Sequence, residues 1–241
     1  MDYKYKLLKA SVESVCNNLI IDAKLDDGQK VVAFCGAPNI AEQCKEGTVI
    51  WLKRTSNPTR LVKYNVAFIE VDDVLIFSNP KYDKQLFLEA FENDILAEFD
   101  KYDECTSLEK EEDACGIDFV LSNANGEKCL VYATSIYSKR GSYAVFPHNI
   151  NFFEMKVFEE MMKRKKQGYE VCVFLISPRE DCLDAKFVWD ISTLASGAVY
   201  NAAQNGVNFI CYSCNVDKEC VEIDWRFKMI KIEVLIFCLI K

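Results

Sequence analysis

The place in this chain where residue types could do chemistry is a single acid in an apolar run. Ile117 to Leu121 reads Ile-Asp-Phe-Val-Leu, and Asp118 is its one charged residue. A carboxylate inside such a strand is costly unless it meets a partner, a metal or solvent at a site. In one large nuclease architecture an Asp here, with Glu-x-Lys on the next strand, holds a divalent metal and positions the attacking water. Where Glu-x-Lys would fall, this chain has Tyr132-Ala133-Thr134. Asp118 is therefore the candidate metal ligand and the vestigial catalytic candidate, in a frame that lacks two of its three working groups. No cofactor is expected, and Mg²⁺ or Mn²⁺ enters only if the site still cuts.

The second chemistry-bearing set is basic. Lys53, Arg54, Arg60 and Lys63 cluster around one turn, Lys139 and Arg140 sit in another, and Lys163, Arg164, Lys165 and Lys166 close a helix. These are the candidate nucleic-acid contacts. Each has a plainer explanation: a solvated hairpin end, or cations complementing a helix dipole. The net charge of −8 argues against a polyanion binder held by bulk charge, so a nucleic-acid partner has to be gripped by a confined surface.

The elements that position these groups follow from periodicity. Residues 7–71 read as short strands separated by turn signals, Asp26-Asp27-Gly28, Gly36-Ala-Pro-Asn39 and Thr55-Ser-Asn-Pro58. Strands at that spacing suggest a small β-barrel of the oligonucleotide-binding kind, over residues 1–80. Asn79-Pro80 marks the boundary. Over residues 82–99 the period changes, with Leu86, Phe87, Ala90, Phe91, Ile95 and Leu96 on one helical face. Acid-rich residues 100–113 lead into the stretch 116–137, two strands joined at Asn125-Gly126. That dipeptide predicts a type I′ hairpin, in which both central residues need positive φ. Asn151 with Glu154 gives the capping-box spacing for the helix ending at Lys166. A buried strand over 169–176, a helix over 190–205 and a strand over 207–212 complete a mixed α/β domain over residues 81–241.

Half the residues are apolar, which excludes global disorder. The first nine residues lack the apolar core of a signal peptide, and the apolar run from Val234 to Ile240 is far shorter than the roughly 20 residues a bilayer span needs. A reducing intracellular compartment, cytoplasmic or nuclear, and no membrane are the expectations. Twelve cysteines are then read as small hydrophobes with few or no disulfides. Cys211-Tyr-Ser-Cys214 with Cys220 falls short of a zinc site, because a structural zinc wants four ligands and the only histidine, His148, is distant in sequence. The apolar stretch from Ile230 to Ile240 is a candidate for self-association.

Several stretches carry a resemblance. They are Phe34-Cys35-Gly-Ala-Pro-Asn39 with Cys44, Gly47-Thr-Val-Ile-Trp51, Arg60 with Lys63-Tyr64, Gly116-Ile-Asp-Phe-Val120, Phe146-Pro147 with Lys156, and Ala202-Ala-Gln-Asn-Gly-Val-Asn208. In order and spacing the chain resembles the sugar fermentation stimulation protein (SfsA-type) family, from about residue 7 to 224. The resemblance implies an N-terminal barrel of the oligonucleotide-binding type, a C-terminal restriction-endonuclease-like α/β domain and DNA binding. Carried over position by position, the family's metal site keeps only Asp118. Its Glu falls on Tyr132 and its Lys on Thr134. The basic residue two before the Asp is Gly116, the acid after Phe146-Pro147 is His148, and an Arg-Gly pair is Phe153-Glu154, which leaves Lys156 as a match. Rescue of the site would need Lys139 or Lys156 as the cation and Glu109 or Glu112 as an added oxygen.

Three functions stand against one another: a catalytically silent DNA binder, a diverged metal-dependent nuclease, and a protein-interaction module using the acidic surface and the apolar tail. The first is favoured because the fold is implied and the active groups are missing.

Overall fold

The computed structural model describes residues 1–108, 115–148 and 151–230. Five strands, β1 (Leu7–Cys16), β2 (Ile20–Leu25), β3 (Lys30–Phe34), β4 (Val49–Arg54) and β5 (Tyr64–Val71), run in the order β3-β2-β1-β4-β5. A parallel contact between β3 and β5, with Phe34 opposite Asn65, closes them into a barrel. A short helix, α1 (Pro38–Ala41), lies between β3 and β4, and β6 (Val74–Phe77) extends the sheet beyond β5. The period of two in β2 and β3 explains the closure. Ile21, Ala23, Val31 and Ala33 turn inward with Ile50, Leu52 and Val66, while their neighbours face out.

The remainder contains α2 (Asp83–Glu92), β7 (Glu104–Ser107), β8 (Phe119–Ser122), β9 (Lys128–Ser135), β10 (Lys139–Arg140), β11 (Tyr143–Phe146), α3 (Phe152–Lys166), β12 (Glu170–Ser177), β13 (Asp184–Phe187), α4 (Thr193–Gln204), β14 (Asn208–Val216), β15 (Val221–Phe227) and β16 (Met229–Ile230). Its main sheet has the order β15-β14-β12-β9-β8-β7, with β9, β12 and β14 parallel and the outer strands antiparallel. A smaller sheet runs β10-β11-β13-β16. The chain is thus a mixed α/β protein, a closed barrel followed by a helix-covered mixed sheet.

The main sheet is buried on both faces, which is why β12 reads as an unbroken apolar run. Cys172, Phe174 and Ile176 face α2 and the barrel's Phe68 and Phe77, whereas Val171, Val173 and Leu175 face α3 and α4. A backbone hydrogen bond from Phe77 to Pro178 (3.1 Å) also ties the barrel to the second half.

Two expectations change. The helical stretch over 82–99 is shorter, with α2 ending at Glu92, a break at positive-φ Asp94 and a separate 3-10 turn over Ala97–Phe99. The hairpin joining β8 and β9 is not type I′. Gly126 alone has positive φ (+81°), Gly126 N donates to the Asn123 carbonyl (3.0 Å), and the Asn123 side chain accepts from the Asn125 and Glu127 amides. This is a type I turn followed by a left-handed glycine, the three-residue solution to the same problem. The capping box at Asn151 and Glu154 is present in full.

Candidate functional site

Asp118 sits immediately before β8, where the register of β8 with β9 places it opposite Tyr132. Past the last backbone pair of those strands, the Ala133 amide is free of a strand partner there and donates to Asp118 Oδ2 at 2.8 Å. The other oxygen, Oδ1, meets Lys84 Nζ at 2.9 Å, with the carboxylate buried and the lysine 40% exposed. Lys84 comes from the first turn of α2, next to Asp83. The Asp83 carboxylate is buried and accepts from both the Ser135 amide and the Ser135 hydroxyl, each at 2.7 Å. Burial pushes its pKa up to about 7, with the nearby Asp118 charge adding to the rise and the Ser135 bonds opposing it.

Tyr132 points to the opposite side of β9 from Val131 and Ala133, into the core beneath α3. Burial drives its phenol far above the usual range, and the Glu154, Asp118 and Asp83 charges reinforce this. Burial also raises the Glu154 carboxyl, against hydrogen bonds from the Asn151 amide and Tyr132. Gly116 carries φ +88°, and a Cβ there would stand 2.5 Å from Phe153 Cζ and 2.7 Å from Val157 Cγ2. The Phe153 ring thus occupies the space that a side chain at position 116 would need.

Among the described residues the donor set does not fit a divalent cation. Mg²⁺ and Ca²⁺ want several carboxylate or carbonyl oxygens around one point. Here Asp118 is engaged by an ammonium and an amide, Asp83 by Ser135, and Tyr132 presents a phenol. No group of three His, Cys, Asp or Glu among the described residues is placed to hold a metal. Glu109 and Glu112 lie outside the described residues. The cation at Asp118 is Lys84, rather than Lys139 or Lys156. Lys139 pairs with Asp181, and Lys156 lies over the Phe152 ring at 4.6 Å.

The other cations divide sharply. Arg140 pairs with Asp190 (2.7 Å), Lys163 and Arg164 with Glu160 (3.3 and 2.6 Å), and Lys165 with Glu170 (3.1 Å). Lys166 has no ion pair among the described residues. In the barrel, Lys53 is half-buried among tyrosines, 3.0 Å from the Tyr5 ring centre and hydrogen-bonded to Tyr82 Oη at 3.2 Å. Arg60 contacts Asn65 Oδ1 (3.4 Å) and the Phe34 ring, and Lys63 donates to the Pro58 carbonyl (2.7 Å). Among the described residues no carboxylate pairs with Arg54, Arg60 or Lys63.

Sequence reasoning missed three residues. Asp83 shares the buried face of α2 with Phe87 and Ala90, a 4- and 7-residue spacing that was visible in the sequence. Lys84 had no such signal. Arg179 is buried and grips Asp181 through Nε (2.6 Å) and Nη2 (2.8 Å) while donating to the Tyr137 carbonyl (2.9 Å). Burial alone would raise the Asp181 carboxyl; Arg179 and Lys139 overcome it and hold the group at about 2. His148, half-buried, contacts Ser138 Oγ at 2.7 Å and Glu42 at 3.5 Å, bridging the second half to the barrel. The described cysteines are free, and Cys211 and Cys214 are buried in β14 with thiols pushed well up by that burial. Residues 231–241 of the apolar tail lie outside the described residues.

Barrel, mixed sheet and a buried Asp at the start of β8 define a recognisable class. A family model described as the sugar fermentation stimulation protein RE domain matches residues 81–220, and the chain belongs to that family. Among its relatives, the sugar fermentation stimulation protein homolog of Paramagnetospirillum magneticum is 26% identical over 224 residues, covering 92% of this chain and 95% of that protein. The homolog of Geotalea uraniireducens is 26% identical over 233 residues, covering 95% and 99%. The fold is similar to that of Pyrococcus furiosus SfsA, solved in complex with Ca²⁺, at TM-score 0.79 and 13% identity over 95% of this chain and 99% of the other.

Proposed function

We propose that this chain is a DNA-binding member of the family whose restriction-endonuclease-like site is degenerate and does not cut. The observation that carries this reading is the engagement of Asp118 by Lys84 at 2.9 Å and by the Ala133 amide at 2.8 Å. An ammonium supplies one fixed positive charge but no open coordination position for an activated water, which metal-assisted phosphodiester hydrolysis requires. Where the family resemblance implies a Glu and a Lys, this chain offers the phenol of Tyr132 and the hydroxyl of Thr134. Binding is assigned to the barrel, whose Arg54, Arg60 and Lys63 have no carboxylate partner among the described residues. That confined basic surface reconciles DNA contact with a net charge of −8.

Lys84 also favours a second reading, in which it replaces the missing lysine of a diverged nuclease. Labelled DNA titrated in EDTA and then in Mg²⁺ or Mn²⁺, at two salt concentrations, separates the two. Salt-sensitive binding with intact DNA throughout is the expected result. Metal-dependent cutting that is lost in Asp118→Ala overturns the degenerate-site reading, and absence of binding at low salt moves the protein to the interaction-module class.

A further inference from the structure

Away from Asp118, side chains from both halves of the molecule meet at one imidazole. Ser138 stands immediately before β10 and His148 two residues after β11, and Ser138 Oγ lies 2.7 Å from His148 Nδ1. Glu42, directly after α1 of the barrel, brings Oε2 to 3.5 Å from His148 Nε2. The other oxygen of that carboxylate accepts from Asn18 Nδ2 at 2.6 Å, out of the β1–β2 turn, which fixes its direction. These partners assign the tautomer. A carboxylate only accepts, so the ring proton belongs on Nε2, and Nδ1 is left to accept from the serine hydroxyl. Ser138 Oγ has no other hydrogen-bond partner among the described residues. Hydroxyl, imidazole and carboxylate thus follow one another in the order of an activated serine, an arrangement recognised by geometry and roles rather than by place in the chain.

We propose that Ser138 is a nucleophile toward small carboxylic esters, with His148 as its general base and Glu42 and Asn18 positioning the imidazole. This activity stands apart from DNA binding. Ser138 Oγ bonds to the ester carbonyl carbon while its proton passes to His148 Nδ1. The bond from that carbon to the alcohol oxygen breaks, and the alcohol leaves with the proton. Water then gives a proton to Nδ1 and bonds to the acyl carbon, and the acid leaves as Oγ recovers its proton. One ester and one water become one acid and one alcohol. Glu42 answers the positive charge that the ring carries between these transfers. Its 3.5 Å approach has the loose geometry common in sites without substrate. Ser138 is 6% exposed, which restricts access to slim acyl groups such as acetyl. Nucleophile and base come from the second half and the positioning groups from the barrel, so the reaction requires the two halves docked.

The test is reaction of the full chain with a fluorophosphonate probe, whose phosphorus takes the place of the acyl carbon, with the labelled residue mapped by mass spectrometry. The expected result is label on Ser138 in the folded chain and none there after unfolding in urea. His148→Gln slows the labelling about 100-fold, the scale of a lost general base. Glu42→Gln shifts the pH profile of labelling and leaves the urea midpoint unmoved. The parent also cleaves phenyl acetate faster than Ser138→Ala does, a comparison that sets aside background acylation of cysteines and lysines. Label on other residues only, a parental labelling rate in His148→Gln, or equal phenyl acetate cleavage in Ser138→Ala overturns the proposal. So does a fall in the urea midpoint of Glu42→Gln with the pH profile of labelling unchanged, the signature of a mere tie between the halves. None of these results bears on DNA binding.

Discussion

The basic loop between β4 and β5 and the basic clusters of the second half have different partners, although the barrel also holds Lys30 paired with Glu13 at 2.9 Å. In the second half Lys84, Lys139, Arg140, Lys163, Arg164, Lys165 and Arg179 each meet a carboxylate, and of those acids Asp118 is buried. In the barrel, Arg54, Arg60 and Lys63 touch amide and carbonyl oxygens, an aromatic ring or solvent, with no carboxylate among the described residues. The richest basic run in the sequence, at the end of α3, is therefore partly compensated: Lys163 and Arg164 share Glu160, and Lys165 meets Glu170. Charge count locates cations; only packing shows which of them a phosphate can still recruit. On the proposed DNA-binding reading, charge changes in the second half should act on stability and charge changes in the barrel loop on affinity.

The largest effect on stability is expected from Asp83. Its folded pKa of about 7 lies above its ordinary value of 3.8, so the folded state holds the proton more tightly than the unfolded chain. Its contribution is fully present below about pH 4 and is lost as the pH rises through about 7, by at most about 4 kcal/mol. Asp83→Asn retains an acceptor for the Ser135 amide and abolishes this dependence; urea unfolding at pH 5 and pH 8 measures it, and a variant with the parent's pH slope contradicts the assignment. Next is Asp118→Ala, which removes the carboxylate that accepts from Lys84 and the Ala133 amide and costs about 2 kcal/mol, less than a fully buried pair because Lys84 is part-exposed. A shifted unfolding midpoint at constant slope is the readout. Gly116→Ala costs roughly 2 kcal/mol, through positive φ and the collision with Phe153; Phe153→Ala in the same chain should recover part of it. The smallest change is in the barrel loop, where Arg60→Ala and Lys63→Ala each leave stability within about 0.5 kcal/mol. Breakage of that pattern, with the loop variants unfolding early, would erase the distinction between the halves.

Much of the fold was legible because it follows local rules. The alternation in β2 and β3 gave the barrel wall, the apolar run of β12 gave a doubly covered strand, and Asn151 with Glu154 gave the start of α3. The I′ hairpin failed because Asn123, two residues earlier, captures the turn with its side chain, a competition that the Asn-Gly signal does not weigh. The site was half legible. Asp118 stood out as an acid among apolar neighbours, and the departures at Tyr132 and Thr134 from the pattern that the resemblance implies could be read by position. Lys84 could not, since it lies 34 residues before Asp118 in sequence and nothing local marks where α2 docks. The pairing of α3's cations was partly visible at the 3- and 4-residue spacing to Glu160, whereas Lys139 with Asp181 and Arg140 with Asp190 depend on strand order.

The most direct test sets the two cation groups against each other in one binding experiment. Arg60→Glu with Lys63→Glu, and separately Lys163→Glu with Lys165→Glu, are titrated against the same labelled DNA at low and moderate salt. The account predicts at least about a 50-fold loss and a flatter salt dependence for the barrel pair, and less than about a 3-fold change for the helix pair, whose charges are already answered by Glu160 and Glu170. A large loss from the helix pair with the barrel pair unaffected would contradict it.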